Sequence, residues 1–264
     1  RADIEIKTEN GEQTSGECRF VTGKLGRKWD GRWISADFKR EEGKREEFLG
    51  AQYLRKTFSV RAGVRAAYLV ICGLGYFESY LNGKKTGDDM LSPAFTRYDA
   101  ECMYLVYDVR SLIREGENAL GVALGNGWYN CFAEDPWNTR AATWRHVPKL
   151  ISELHILYED GRREAVLSDP SWKASKGPIT FNGIRNGEFY DARLELGNWT
   201  APDYDDSAWD KTKIIKSPGG FLVAMEMEPI RVRKVIGAKK MWKSADGYVF
   251  DIGQNQAGVG HFKV

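Results

Sequence analysis

The sequence is poor in the groups from which most catalytic and metal centres are built. Its three histidines, His146, His155 and His261, are far apart, and no His-Glu-x-x-His pair occurs. The zinc-hydrolase motif is thereby excluded. Its four cysteines, Cys18, Cys72, Cys102 and Cys131, form no Cys-x-x-Cys pair, which argues against zinc-knuckle and dithiol redox chemistry. Cys72, inside YLVICG, reads as a small buried residue. There is no Gly-x-Ser-x-Gly nucleophile elbow and no phosphate-binding P-loop. GLGYFE (73–78) starts like a dinucleotide loop, but it lacks the third glycine and runs on into strand-like sequence. There Gly73 and Gly75 read as a bend or bulge in a long strand.

Neither sign of charge is in excess. Lys and Arg number 39, Asp and Glu 37, for a net charge of +2. The two signs are interspersed, as in KREEGKREE (39–47), which argues against nucleic acid as the main partner. No stretch approaches the ~20 consecutive apolar residues a membrane helix requires, so no membrane partner is expected. Long amphipathic helices are missing too. SLIREGE (111–117) and TRAATWRH (139–146) have room for a turn or two.

Strands and turns fill the rest of the chain. YLRKTFSV (53–60) alternates apolar and charged residues in the manner of a half-buried strand. AYLVICGLGYFESYLNGKKTG (67–87) carries an Asn82-Gly83 dipeptide, which favours a type I′ hairpin turn. MYLVYDVRSLI (103–113) and NALGVALGNG (118–127) follow, then LISELHILYEDGRREAVLSD (150–169), with a hairpin at Asp160-Gly161, and WKAS (172–175). Many short strands with Gly, Asn and Asp turns predict an all-β fold, a jelly-roll or galactose-binding-like β-sandwich. Residues 1–50 are expected as an N-terminal extension and 51–216 as the sandwich, with the aperiodic stretch 191–212 wrapped around it. SPGG (217–220) reads as a joint. The strands in 217–264 are expected to open a second β-domain and are too few to complete it.

Carboxylates are plentiful: Asp88-Asp89, Glu134-Asp135, Glu188, Asp191 and Asp205-Asp206. A glycosidase needs two of them ~5–9.5 Å apart, one with a raised pKa. Adjacent acidic pairs read first as turn and cap residues, and no catalytic residue is assigned.

Five ordered motifs carry a family resemblance. They are GLGYFESYLNGKKTGDDMLSPAFTRYD (73–99), YDVRSLIREGENALGVALGNGWYN (107–130), NGEFYDARLELGNW (186–199), YDDSAWDK (204–211) and YVFDIGQNQAGVGHFKV (248–264). Together they resemble the N-terminal β-sandwich region of bacterial α-L-rhamnosidases, glycoside hydrolase family 78, over roughly residues 30 to 264. Thr86 departs from the family's usual aliphatic residue, and 131–146 has no match in the pattern. The resemblance implies a non-catalytic accessory domain that binds or positions rhamnose-containing glycans. Its partner would be the family's C-terminal catalytic (α/α)6 barrel, which this chain does not contain. No cofactor is required. Some relatives use calcium, for which Asp88, Asp89, Asn126 and Asp135 offer oxygens. A pure scaffold that packs on the barrel is the alternative.

A sugar site needs one or two aromatic plates with polar partners beside them. ALGNGWYN (123–130) and the loop after it supply Asn126, Trp128, Tyr129, Asn130, Asp135 and Trp137. NGEFYDAR adds Glu188, Tyr190, Asp191 and Arg193. These ten residues are the candidate carbohydrate site, on loops expected to share one end of the sandwich. Two plainer roles stay open. Trp128 and Tyr129 would cap the sandwich, and Asp191 would pair with Arg193 or face a neighbouring domain. Trp137, set among polar and turn residues, is the best candidate for an exposed stacking ring.

Overall fold

The computed structural model describes residues 2–18, 23–38 and 50–261. The mixed-charge run at 39–47 lies outside them, as does the end of the last motif. The described residues form β1 (Ala2–Lys7), β2 (Gln13–Cys18), β3 (Ile34–Ala36), β4 (Gln52–Val60), β5 (Val64–Leu74), β6 (Phe77–Leu81) and β7 (Lys84–Lys85). Then come β8 (Asp89–Met90), β9 (Glu101–Asp108), β10 (Gly116–Leu124), β11 (Lys149–Tyr158), β12 (Arg163–Leu167), β13 (Lys173–Ser175), β14 (Ile179–Gly183) and β15 (Gly187–Tyr190). The last five are β16 (Asp210–Ile214), β17 (Phe221–Ala224), β18 (Ile230–Arg231), β19 (Lys240–Ser244) and β20 (Gly247–Asp251).

One curled sheet runs β17-β9-β5-β11-β3-β16-β13-β4-β10-β6-β7, with β12 added to β11. It closes on itself as a β-sandwich. Leu69, Ile71, Leu150 and Leu154 from one layer meet Leu54, Leu120, Val122 and Leu124 from the other in a single buried cluster. Each such side chain contributes roughly 1.5–3 kcal/mol by leaving water. Pairing is antiparallel except for β17 on β9. Asn82 and Gly83 sit at φ 52° and 83°, as the β6–β7 turn expected from the dipeptide requires. Asp160-Gly161 turns β11 into β12, also as expected.

The aperiodic stretch is held against the sandwich by a buried cation. Arg55 of β4 donates from Nε to the Trp199 carbonyl at 2.9 Å and from Nη2 to the Ala201 carbonyl at 2.7 Å. It pairs with Asp206 and lies 5.6 Å from the Tyr204 ring centre. Though charged and on a strand expected to be half-buried, Arg55 has a side chain only 1% exposed. The wrap covers it and saturates its fork with carbonyls.

Past residue 217 the chain first extends the sandwich. β17 joins β9, and β18 pairs with β8. Of the described strands past residue 217, only β19 and β20 pair solely with each other. Residues 232–239, read from sequence as strand, form no ladder.

Candidate functional site

The two glycine-rich stretches explain each other. The loop after β5 and the loop after β10 cross backbone to backbone, with Gly125 N–H donating to the Tyr76 carbonyl at 2.8 Å. A Cβ on Gly75 would stand 1.9 Å from the Asn126 carbonyl oxygen. A Cβ on Gly127 would stand 2.9 Å from the Tyr76 nitrogen, and Gly127 also has φ +49°. Side chains at either position would drive the loops apart.

The carboxamides beside those glycines tie a third segment to the crossing. Asn126 N–H donates to Asn182 Oδ1 at 2.7 Å, and Asn126 Nδ2 donates to the Asn182 carbonyl at 2.8 Å. Asn130 Nδ2 donates to Asn126 Oδ1 at 2.7 Å. Asn126 and Asn130 are buried, so this knot is internal. It fixes the β14–β15 hairpin beside the Trp128 loop. Tyr129 is fully buried, edge-on to Tyr98 at 5.2 Å. Burial pushes both phenol pKa values well up. Tyr129 thus packs within the core with no exposed ring face.

The surface above the knot is aromatic and cationic. Arg185, in the β14–β15 turn, puts its guanidinium 5.4 Å from the Trp128 ring centre and 5.1 Å from that of Trp137. Phe95 lies 5.6 Å from Trp128. Trp137 is 71% exposed. Its loop is nevertheless well anchored, because the buried Asp135 carboxylate accepts from the N–H of Trp137 at 2.9 Å and of Thr139 at 3.2 Å. Thr139 Oγ1 also donates to it, and Arg185 Nε lies 4.0 Å away. The Thr139 hydroxyl, foremost among these donors, holds the Asp135 pKa below the usual carboxylate range. Asp135 thus serves the loop, with its oxygens already engaged.

The other expected residues lie on β15 and in the short turn after it. Phe189 packs on Phe181, which packs on Phe132. In the ladder with β14, Glu188 stands opposite Asn182 and Tyr190 opposite Ile179. Tyr190 donates its hydroxyl to Glu195, and Asp191 binds Arg193 through both oxygens while capping a short 3-10 turn. The ten residues thus comprise the buried Asn126–Asn130 knot, the core ring Tyr129, the Trp128, Asp135 and Trp137 loop, and the Glu188–Arg193 segment. Arg185, Phe95 and Phe189 were missed. The hairpin's docking brings Arg185 to the tryptophans and the segment after β8 brings Phe95 to Trp128, and no local spacing signals either.

Among the described residues no group of three or more His, Cys, Asp and Glu side chains is placed to hold a metal. Asp88 is bound to Arg231 at 2.6 Å, and Asp89 accepts from the Tyr107 hydroxyl at 2.9 Å.

Comparison with known proteins matches residues 62–234 to the α-L-rhamnosidase N-terminal domain. An α-L-rhamnosidase of Formosa agariphila is 39% identical over 80% of this chain and 22% of its own length. The structure of an α-L-rhamnosidase from Dictyoglumus thermophilum superposes with a TM-score of 0.76 at 39% identity, covering 86% of this chain and 26% of that one. The Streptomyces avermitilis α-L-rhamnosidase, solved in complex with L-rhamnose, gives a TM-score of 0.73 at 35% identity over 78% of this chain and 20% of its own. The chain thus spans about a fifth to a quarter of the length of these relatives. With its sandwich, its five motifs and these matches, the chain belongs to the α-L-rhamnosidase N-terminal domain family.

Proposed function

We propose that this chain is the non-catalytic N-terminal part of an α-L-rhamnosidase-like glycoside hydrolase. In this reading the Trp128–Arg185–Trp137 surface binds or positions rhamnose-containing glycan for a catalytic (α/α)6 barrel elsewhere in the same polypeptide. The observation that carries it is Trp137, an indole 71% exposed on a loop pinned by the buried Asp135 carboxylate. A sugar presents a face of C–H groups, which an indole covers well, and Arg185 lies within reach of a ring hydroxyl. A plate fixed before binding loses little freedom when it binds. The relative solved with L-rhamnose supports this choice of sugar.

The test is calorimetric titration with L-rhamnose, with and without calcium, on the chain and on Trp137→Ala. Binding is expected to weaken in the variant by about 1–3 kcal/mol, the scale of a lost aromatic anchor. Unchanged affinity would remove Trp137 from the site. A scaffold role has its own support, since Phe95, Phe189, Met241 and Tyr248 are all exposed and apolar patches mark docking surfaces. Under that reading L-rhamnose gives no heat in either condition.

A further inference from the structure

A concavity of about 530 Å³ lies on the outer face of the β9–β5–β11–β12 part of the sheet. Inward residues of these strands, such as Leu69 and Leu154, build the core, so alternation sends Tyr68, Val70 and His155 outward. With Val106 of β9 they form an apolar and aromatic floor. The loop 23–30 walls one side with Arg27 and Lys28, and Arg163 of β12 also lines the groove.

The loop is moored by one buried carboxylate. Glu153 accepts from the N–H of Asp30 at 2.6 Å and of Gly31 at 3.1 Å. It also pairs with the Lys24 ammonium and contacts His155 Nε2 at 2.9 Å. Lys24 lies 4.9 Å from the Trp29 ring centre. The charge of Lys24 is therefore matched within the protein. Arg27, Lys28 and Arg163 are exposed, and their side chains make no ion pair or hydrogen bond among the described residues. Of the acids that line the groove, Glu164 is engaged by the Tyr158 hydroxyl at 2.8 Å and faces Arg61 at 3.6 Å. Asp30 alone stands against three cations.

We infer that this groove binds an anionic saccharide, its ring lying on Tyr68, Val70 and Val106 and its carboxylate or sulfate held by Arg27, Lys28 and Arg163. The positive lining is matched by a negative ligand group, and guanidinium forks suit both oxyanions. That the anion is carried on a sugar rests on the rhamnosidase-type function proposed above. Attraction of an anion does not.

The experiment titrates the chain with trigalacturonate, with a sulfated chondroitin disaccharide, and with uncharged maltotriose, at low and high salt. His155 ring resonances, from the groove floor, are followed by NMR. At least one anionic probe is expected to bind and shift those resonances, more weakly as salt rises, while maltotriose is silent. The probe that binds tells carboxylate from sulfate. In Arg27→Ala/Arg163→Ala the affinity should fall about tenfold or more, since two charge-assisted contacts are removed. Silence of both anionic probes, or equal affinity in the double variant, would overturn the inference. Both substituted side chains are exposed, and circular dichroism verifies the fold. The L-rhamnose titration on Trp137→Ala reports on the other surface, so each reading fails separately.

Discussion

Lys149 brings an ammonium group into the core. It is 2% exposed, donates to the Lys216 carbonyl at 2.7 Å and lies 5.4 Å from the Tyr129 ring centre. Burial lowers its pKa from 10.5 to about 8. Between those values the unfolded chain holds a proton that the folded chain has released. Stability contributed by this site therefore rises with pH across the window, by about 3 kcal/mol in all. Other groups titrate there too, so the measurement is a difference. Urea-unfolding free energies of the chain and of Lys149→Met, taken from about pH 7 to 10, should diverge in favour of the parent as pH rises. Parallel curves would refute the assignment. In the sequence Lys149 only opens an apolar run, and nothing local tells a buried cation from one at the solvent edge. The same holds for Arg55 and Arg185, whose roles depend on partners 144 residues away in one case and 48 in the other.

At the scale of elements, legibility followed locality. The β6–β7 and β11–β12 hairpins were readable because two turn residues fix each of them. The β14–β15 hairpin was not, for its strands are short and β15 is exposed along its length, so no alternation marks it. The parallel β17–β9 pairing joins distant segments and leaves no pattern in either. What holds β14–β15 in place is the carboxamide knot, and that can be tested. Asn182→Ala removes the acceptor for Asn126 N–H, a loss of about 1–3 kcal/mol for a group left unpaired away from water. Amide exchange in residues 179–190 should accelerate while β4 and β10 stay protected. Because the hairpin carries Arg185, the packing on Trp128 and Trp137 should loosen with it and shift the tryptophan fluorescence. Unaltered exchange in β14–β15 would show that the knot does not hold it.

The whole molecule has many carboxyl groups and a consistent tendency among them. Glycosidic cleavage needs one carboxyl kept protonated near neutral pH, by burial or by a like charge. Here every carboxyl with a clear shift among the described residues moves the other way. Burial works to raise the Glu153 pKa, but hydrogen bonds from His155, Lys24 and two backbone N–H groups outweigh it and bring the value to about 2. Arg231 lowers Asp88, Thr139 lowers Asp135, and Arg193 lowers Asp191. Glu78 is raised by burial and lowered more by Lys85 and Tyr80. These carboxylates are charged anchors for loops and strands, and an anchor of that kind has no proton to give a leaving group. The chain by itself is therefore expected to release no p-nitrophenol from p-nitrophenyl α-L-rhamnoside above a heat-denatured control between about pH 4 and 8, the range in which a carboxyl acid–base pair works. Release that saturates with substrate and disappears on denaturation would place a general acid in this sandwich and overturn the division of labour proposed for it.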